Sequence, residues 1–215
     1  MRPDYQRELQ AHPWHGLSPG DRAPGILSTF IEIVPLDTVK YEIHKESGHL
    51  MVDRPQKFSS LCPTLYGFIP RSYCGDRVAA MAASQTGRAG LKGDGDPLDI
   101  CVFSERTITR GGIIVTAKTV GGLRLIDNDE VDDKIIAVLN GDPVYGDCGD
   151  LNDLPTELLD RIRHYFLTYK EMPGGEERRK VEIAAMLDAE QARRLIEESF
   201  KDYDDLRREM ASPGK

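Results

Sequence analysis

The sequence predicts an α+β protein that is mainly β, in which a barrel or sandwich of short strands is followed by two C-terminal helices. Short alternating or β-branched segments recur between residues 26 and 139, and glycine pairs separate several of them. Apolar residues return at helical spacing only in the last third of the chain. Because the strands follow one another without helices between them, a barrel or sandwich is favoured over alternating βαβ units.

The composition is that of an acidic globular protein. The chain has 215 residues, of which 40% are hydrophobic and 30% charged, so it forms one large domain or two small ones. A net charge of −8 argues against non-specific nucleic-acid binding. The same charge is compatible with an anionic substrate if metal ions lie between that substrate and the acidic side chains.

Cysteine usage and hydropathy bear on the cellular location. The four cysteines form no Cys-x-x-Cys pair, which excludes common zinc spacings and favours reduced thiols in a cytosolic protein. The first residues lack the apolar core of a signal peptide, and no stretch of ~18 apolar residues is present. We therefore expect a cytoplasmic protein that does not associate with membranes.

The N-terminal third predicts an arm and the first strands. Residues 1–25 show no period, and we expect Trp14 to pack this irregular arm against the body or a neighbouring subunit. A β-branched strand over 26–34 precedes two alternating segments, which a turn ending in Gly48 joins into a hairpin. Because side chains in a strand alternate with a period of two, Lys40 and Glu42 point to the same side.

The middle of the chain predicts further strands and an excursion from the main sheet. Residues 71–93 are rich in alanine, serine and glycine, and we interpret them as that excursion, in which residues 77–83 form either a short strand or a helical turn. The glycine pairs at 111–112 and 121–122 are expected to break the sheet segments. The predicted strands cover residues 98–103, 113–120, 123–126 and 134–139.

The last third predicts two helices, each with one apolar stripe. The first begins with a cap at residues 152–154, has Pro155 in its first turn and is expected to stop near residues 172–175. The second begins with an Asp-x-x-Gln capping box at residues 188–191. We expect an irregular arm over 1–25, a single domain over 26–207 that includes an insertion over 71–93, and a flexible tail over 208–215.

Three carboxylates fall within the six residues 94–99, Asp-Gly-Asp-Pro-Leu-Asp. Packed carboxylates repel one another, whereas a hard divalent cation such as Mg²⁺ takes oxygen ligands. Gly95 allows the chain to pass close to an ion, and Pro97 stiffens the backbone before an apolar strand. On this hexapeptide alone, a metal site and a tight turn rich in Asp, Gly and Pro are equally favoured.

A second acid cluster, residues 127–133, also lies between two predicted strands, so the two clusters could face each other across a barrel mouth. Basic side chains are interleaved with them along the chain. A cleft in which acids hold Mg²⁺ while cations meet anionic oxygens is typical of phosphoryl transfer. The basic residues concerned are Lys40, Arg54, Lys134 and Lys170.

With these motifs in place, the chain resembles a family I soluble inorganic pyrophosphatase. The acidic loop matches the family signature Asp-Gly-Asp-Pro-hydrophobic-Asp. The match continues in the same order through Lys40-Tyr-Glu-Ile-His-Lys-Glu-Ser-Gly, Val52-Asp-Arg, Tyr66-Gly-Phe-Ile, the segment from Asp127 to Lys134 and the segment from Leu154-Pro to Tyr169-Lys. It covers roughly residues 26–205, since the motifs are spread over that whole interval.

The resemblance implies a small closed β-barrel of the OB type with flanking helices, Mg²⁺ ions (several per site) and pyrophosphate or phosphate as ligands. It also implies a homo-oligomer, either hexamer or dimer. The implied roles follow from the matching positions. Asp96 matches the general base; Asp94, Asp99 and Asp132 match primary metal ligands; Asp127 and Glu32 match further metal-site acids; Lys40, Glu42, Arg54, Tyr66, Lys134, Tyr169 and Lys170 match residues that hold or line the phosphate site.

The activity that the resemblance implies is Mg²⁺-dependent hydrolysis of pyrophosphate by metal-activated water. The alternative is a binding module in which the acids hold a divalent cation without turnover. An EF-hand pattern is missing, and interleaved Lys and Arg residues do not suit a simple cation cage. A nucleotide phosphohydrolase ranks lower, because the sequence has no P-loop.

Two features depart from the family pattern. Cys62 stands where the family often has a tyrosine, and we interpret it as a small packed residue. Residues 71–93 form a longer interval than in compact bacterial members and join two expected site positions, Tyr66 and Asp94. We expect this segment to form a flap or hairpin that rims the cleft or touches another subunit.

Overall fold

The structure is a computed structural model that describes residues 11–170 and 181–211. It contains ten strands, three α-helices and one short 3₁₀ helix. The strands are β1 (Ile26–Ile33), β2 (Val39–Ile43), β3 (Leu50–Pro55), β4 (Leu65–Phe68), β5 (Lys92–Gly93), β6 (Asp99–Phe103), β7 (Ile113–Asp127), β8 (Glu130–Val131), β9 (Lys134–Leu139) and β10 (Val181–Leu187). The α-helices are α1 (Asp76–Thr86), α2 (Thr156–Thr168) and α3 (Ala189–Ala211), and the 3₁₀ helix covers Leu151–Asp153.

Five strands close into a ring. Strand β1 pairs with β4 on one side and with β7 on the other, and the ring continues from β4 through β6 and β9 back to β7. Every pairing in the ring is antiparallel except that of β6 with β9. A closed five-stranded barrel has no free edge and is the architecture of the OB type. The predicted mainly-β barrel is therefore confirmed.

Strand β7 runs without interruption through Gly121 and Gly122, so the prediction that this glycine pair breaks the sheet is wrong. A β-carbon at position 121 would lie 2.3 Å from Cγ of Leu151 and 2.6 Å from the carbonyl oxygen of Leu187. The glycine is needed for the close approach of neighbouring elements rather than for a turn. The register shifts between Thr119 and Gly121, which is the bulge expected of a bent barrel strand.

The sequence analysis did not predict β4, the two-residue strands β5 and β8, or β10. Strand β10 pairs with the second half of β7. Its apolar residues alternate from Val181 to Leu187, so the period was available, but it falls between two helical patterns. Helix α2 ends at Thr168. The expected stop at 172–175 lies outside the described residues.

Helix α3 begins with the predicted capping box. The backbone N–H of Gln191 donates to Oδ1 of Asp188 at 2.8 Å, and Oε1 of Gln191 accepts from the N–H of Asp188 at 3.0 Å. The helix continues to Ala211, so residues 208–211 are helical rather than part of a flexible tail. Trp14 is buried beside Phe30 and Phe68, which shows that the arm packs against the body of its own chain.

Residues 71–93 do not form the flap or hairpin expected of them. Residues 76–86 form α1, which buries Val78, Ala79 and Ala82 and packs on α3. The small residues that suggested an excursion are what allow this close helix contact. Gly93 lies so near the backbone of Cys74 that an added β-carbon would be 2.0 Å from its carbonyl oxygen. Much of this segment is part of the core, and deleting it would remove buried surface.

The N-terminus of α1 is capped by a side chain from α3. Asp202 is buried, and its carboxylate accepts from the backbone N–H groups of Gly75, Arg77 and Val78 at 3.0 to 3.2 Å. The first turn of a helix leaves N–H groups without intrahelical partners, and a carboxylate there satisfies them. Asp202 thus ties the two helices together. In the part of the chain that the structure describes, no helix is both long and apolar enough to cross a bilayer.

We predict that Asp202→Ala destabilises the protein by about 1–3 kcal/mol, because buried N–H groups lose their acceptor. Urea unfolding followed by circular dichroism measures this change. Asp204→Ala, on the exposed side of the same helix, is the matched control and should stay within about 0.5 kcal/mol of the parent. Equal stabilities for the two variants would contradict the capping role.

Candidate active site

A pocket of about 980 Å³ opens where β6 and β9 begin and β7 ends. All thirteen residues that the sequence analysis singled out line it. The two acid clusters therefore meet in one place, as predicted, and the interleaved basic side chains share that place with them. The lining residues that were not predicted are Ile43, Lys45, Lys57, Phe68, Pro97 and Glu130.

The acidic loop is a rigid turn. Gly95 has a φ of +76°, a conformation that favours glycine, and its N–H donates to the carbonyl oxygen of Cys74 at 3.1 Å. The N–H of Cys74 donates back to the carbonyl oxygen of Asp96 at 2.8 Å. Oδ1 of Asp94 accepts from the N–H of Asp96 at 3.0 Å. These bonds fix the loop before β6 begins at Asp99.

The parallel pairing of β6 with β9 brings the second cluster to the first. Asp99 stands opposite Lys134 in the register of the two strands. Nζ of Lys134 donates to Oδ2 of Asp99 at 2.5 Å and also to Oδ1 of Asp132. The phenol of Tyr66 donates to the same Oδ2 of Asp99 at 2.5 Å. Burial alone would lower the pKa of Lys134, but Asp132 and Asp99 raise it well above its usual range.

The remaining acids are crowded and desolvated. Burial raises the pKa of Asp94 to about 9, and the charges of Asp132 and Asp99 act in the same direction. Burial raises the pKa of Glu32 to about 8, with a further contribution from Asp99. Such acids hold a proton at neutral pH unless a cation replaces it. The site therefore carries more carboxylates than its own basic groups neutralise.

Basic side chains at the rim are paired with acids. Nζ of Lys40 lies 2.7 Å from both Glu42 and Asp53, so the predicted same-side pair is present. Arg54 also pairs with Asp53. Strands β2 and β3, which carry these residues, form a separate two-stranded ribbon.

The acid Glu32 connects this ribbon to the barrel. The N–H of Ile43, the last residue of β2, donates to Oε1 of Glu32 at 2.7 Å.

The residues that follow α2 also line the pocket. Nζ of Lys170 lies 2.9 Å from Oδ2 of Asp127. The side chain of Tyr169 stacks on Tyr165, with ring centroids 4.9 Å apart.

The donor chemistry of the pocket suits a hard cation. Its carboxylate oxygens are the kind of ligand that Mg²⁺ takes. The pKa values of Asp94 and Glu32 are raised, so a nearby cation would stabilise their charged forms. Within residues 11–170 and 181–211, no three acid, histidine or cysteine side chains already form a metal cage. The ammonium group of Lys134 supplies the positive charge between Asp99 and Asp132.

Sequence reasoning missed or misjudged several residues. Lys45 pairs with Asp96 across the pocket, although its position in a hairpin turn carried no sign of that. Glu130, from the second acid cluster, also lines the pocket. Asp133, from the same cluster, is instead fully buried against Arg124. Cys62 is buried near Thr64 and is absent from the described lining of this pocket, which agrees with a small packed residue.

The fold and the site together define a class of protein. A closed barrel whose mouth combines clustered carboxylates with lysine and arginine side chains is typical of enzymes that bind a phosphorylated anion together with cations.

Comparison with known proteins narrows this class to one family. Residues 29–204 match the protein family described as inorganic pyrophosphatase. An inorganic pyrophosphatase of Chlamydia trachomatis serovar L2 is 48% identical over 201 residues, which cover 91% of this chain and 95% of the relative. A soluble inorganic pyrophosphatase of Zea mays is 34% identical and covers 92% of this chain and 82% of its own length. The chain belongs to the inorganic pyrophosphatase family.

Solved structures agree with that assignment. The crystal structure of the inorganic pyrophosphatase from Thermus thermophilus has a TM-score of 0.74 at 27% identity and covers 90% of this chain and 99% of its own. The inorganic pyrophosphatase of Helicobacter pylori has a TM-score of 0.68 at 33% identity, over 84% and 94% of the two chains. The barrel described above is thus the fold of the family.

The crowded acids predict how stability depends on pH. The ordinary pKa values are 3.8 for Asp94 and 4.5 for Glu32, against about 9 and about 8 in the folded protein. Between these limits the folded state binds more protons than the unfolded chain, so stability falls as pH rises. We expect the metal-free protein to show a falling thermal midpoint from about pH 5 to about pH 9, and Mg²⁺ to reduce that fall.

Asp94→Asn tests the origin of this trend, because it removes one of the crowded charges. In chelator at alkaline pH it should raise the free energy of unfolding by about 1 kcal/mol, or roughly 2–4 °C in thermal midpoint. Asp129→Asn, an exposed acid in the neighbouring loop, is the control and should leave the pH trend unaltered. A metal-free protein that becomes more stable towards alkaline pH would contradict the crowding of these acids.

Proposed function

We propose that the pocket hydrolyses inorganic pyrophosphate to two phosphates in the presence of Mg²⁺, with Asp96 as general base. The observation that carries this proposal is the interleaving of opposite charges in one lining. The described lining contains eight carboxylates and six basic side chains. Carboxylates alone would suit a cation site, and basic groups alone would suit an anion site. Both together suit an anion that arrives with cations.

The basic side chains are proposed to bind the phosphates. Lys40, Arg54 and Lys170 lie at the walls of the pocket with their charged groups against acids that hold them in place. Pyrophosphate oxygens can take over their hydrogen bonds, because ammonium and guanidinium groups donate several at once. As charge builds on the departing phosphate, these fixed donors stabilise it without reorganising. Tyr169 and Glu42 complete the lining beside them.

Asp96 is the acid whose surroundings best suit a general base. Its side chain is half exposed, and its charged partner is Lys45. Asp94, by contrast, is buried among other carboxylates and has a raised pKa. An accessible carboxylate can accept a proton from water and orient the resulting nucleophile towards phosphorus. The hydrogen bond from the N–H of Cys74 to the carbonyl oxygen of Asp96 holds the backbone that carries this carboxylate in position.

The metal is proposed to be held by Asp94, Asp99 and Asp132, with Asp127 and Glu32 contributing to further positions. When bound, Mg²⁺ would lower the pKa of a water and neutralise phosphate charge. Neighbouring side chains hold the proposed ligands in place for the metal. Tyr66 and Lys134 orient the carboxylate of Asp99 through their hydrogen bonds.

The assembly and location of the protein are part of the proposal. We propose a homo-oligomer, in agreement with the resemblance, and the large apolar side chains of Leu36, Phe58 and Leu61 are exposed on the described surface. A cytoplasmic location is supported by four free thiols, of which Cys62, Cys74 and Cys101 are buried. Light scattering would measure the assembly.

We predict that Asp96→Asn retains Mg²⁺ binding but loses about 10²-fold or more in turnover, because an amide cannot accept the proton from water. Phosphate release measures turnover, and calorimetry with Mg²⁺ measures binding. Asp129→Asn replaces a nearby acid outside the described lining and should retain the parent rate. Near-parent hydrolysis by Asp96→Asn would reject the assignment of the base.

A chelator assay separates the enzyme from a non-catalytic cation-binding module. With pyrophosphate and Mg²⁺ we expect rapid phosphate release, and excess chelator should abolish it because the crowded acids no longer have their counter-ions. Adding Mg²⁺ back should restore the rate. A folded protein that binds Mg²⁺ but releases no phosphate would establish the binding module instead.

A further inference from the structure

Directly behind the proposed site lies a buried ion pair that takes no part in the chemistry described so far. Arg124 of β7 and Asp133, in the two-residue segment between β8 and β9, are both fully buried. We propose that this pair positions Asp132 and Lys134 for the reaction and that Gln85 of helix α1 holds it from the protein surface. The proposal rests on the function proposed above and assigns a task to the segment that was expected to form a flap.

The pair is held by a closely spaced set of hydrogen bonds. Nε of Arg124 donates to the two carboxylate oxygens of Asp133 at 3.2 and 3.1 Å, and Nη2 donates to Oδ2 at 2.7 Å. The backbone N–H of Leu125 adds a fourth bond to Oδ1 at 3.1 Å. The carboxylate of Asp133 therefore has little freedom to rotate or shift.

Chain geometry links this carboxylate to the site. Side chains alternate along an extended segment, so Asp132 and Lys134 share one side while Asp133 points to the other. Asp132 and Lys134 line the pocket. Because the side chain of Asp133 is held on the core side, the backbone cannot rotate there. The side chains of Asp132 and Lys134 are therefore held towards the pocket. Small misplacements at a reacting site cost much rate, so this rotation matters for function.

Stability alone does not explain why charges are used here. Burying two charges removes their hydration, and replacing such a pair by uncharged groups of similar volume is often neutral or stabilising. A guanidinium–carboxylate pair does offer fixed bidentate geometry, which apolar packing does not provide. A pair that fixes the orientation of the side chain of Asp133 suits an extended segment that must present Asp132 and Lys134 on its other side.

Helix α1 extends the arrangement to the surface. Oε1 of Gln85 accepts from Nη1 of Arg124 at 2.7 Å, although Gln85 itself is exposed. The chain that follows α1 makes a further contact with the second acid cluster, residues 127–133. Strand β5 pairs with β8, and the N–H of Lys92 donates to the carbonyl oxygen of Asp129 at 2.9 Å. Residues 76–93 therefore contact the second acid cluster at two places, through Gln85 and Arg124 and through the pairing of β5 with β8.

The first test is a substitution at the exposed end. Gln85→Leu should weaken Mg²⁺ binding about 3- to 10-fold, since supporting partners of ligands typically contribute 10- to 100-fold and Gln85 acts one step further away. Calorimetry with Mg²⁺ alone measures this, and kcat and KM for pyrophosphate follow separately, with the loss expected in kcat. Ser84→Ala, its exposed neighbour on α1, is the control and should leave affinity and kcat unaltered.

The second test removes the pair without leaving a lone buried charge. In Arg124→Met with Asp133→Asn, the amide oxygen still accepts from Leu125 and both charges are gone. We expect the thermal midpoint to be kept or raised while Mg²⁺ affinity and kcat fall about 10- to 100-fold. Parent affinity and kcat in this double variant would overturn the proposal. Because Mg²⁺ affinity is read without substrate, the result stands apart from the proposed hydrolysis: an inactive parent would reject the function, and only an unaltered affinity would reject the positioning.

Discussion

The structure depends on carboxylates that are held closer together than their charges favour. Asp94, Asp99 and Asp132 converge on one pocket, and the ammonium of Lys134 lies against two of them. In an isolated peptide these groups would separate, because like charges repel one another and the repulsion grows when water is removed. The barrel prevents separation, since each acid stands at a strand end whose neighbours are fixed by pairing. Binding of cations is the use that we propose for that enforced proximity.

The barrel brings the acids together by one pairing above all. The parallel contact of β6 with β9 joins segments some thirty residues apart and sets Asp99 opposite Lys134. The long strand β7 then ends at Asp127 and places the third element of the site beside them. The rest of the architecture serves this meeting of strand ends. The helices cover the outside of the barrel. Helix α1 packs on α3, and Asp202 of α3 accepts hydrogen bonds from the N-terminus of α1.

The sequence predicted the composition of the site better than the structure around it. All thirteen residues could be chosen without coordinates because the motifs, in their order along the chain, resemble those of the pyrophosphatase family, and every one of the thirteen lines the pocket. Gly121 shows the opposite case, because a glycine that admits Leu151 looks in sequence like one that ends a strand. The length of helix α1 could not be predicted, because small residues give a weak apolar pattern. The burial of Asp133 could not be predicted either, because its partner Arg124 becomes a neighbour only through strand pairing.

Glu32 has two tasks that a single substitution cannot separate. It is one of the acids proposed for the metal, and its carboxylate also seats the ribbon of β2 and β3 through the N–H of Ile43. That ribbon carries Lys40 and Arg54, yet it forms a sheet of its own apart from the barrel. Any loss of activity on replacing Glu32 would therefore combine a weakened cation site with a displaced phosphate clamp. The acid edge and the basic edge of the pocket are mechanically joined at this one carboxyl group.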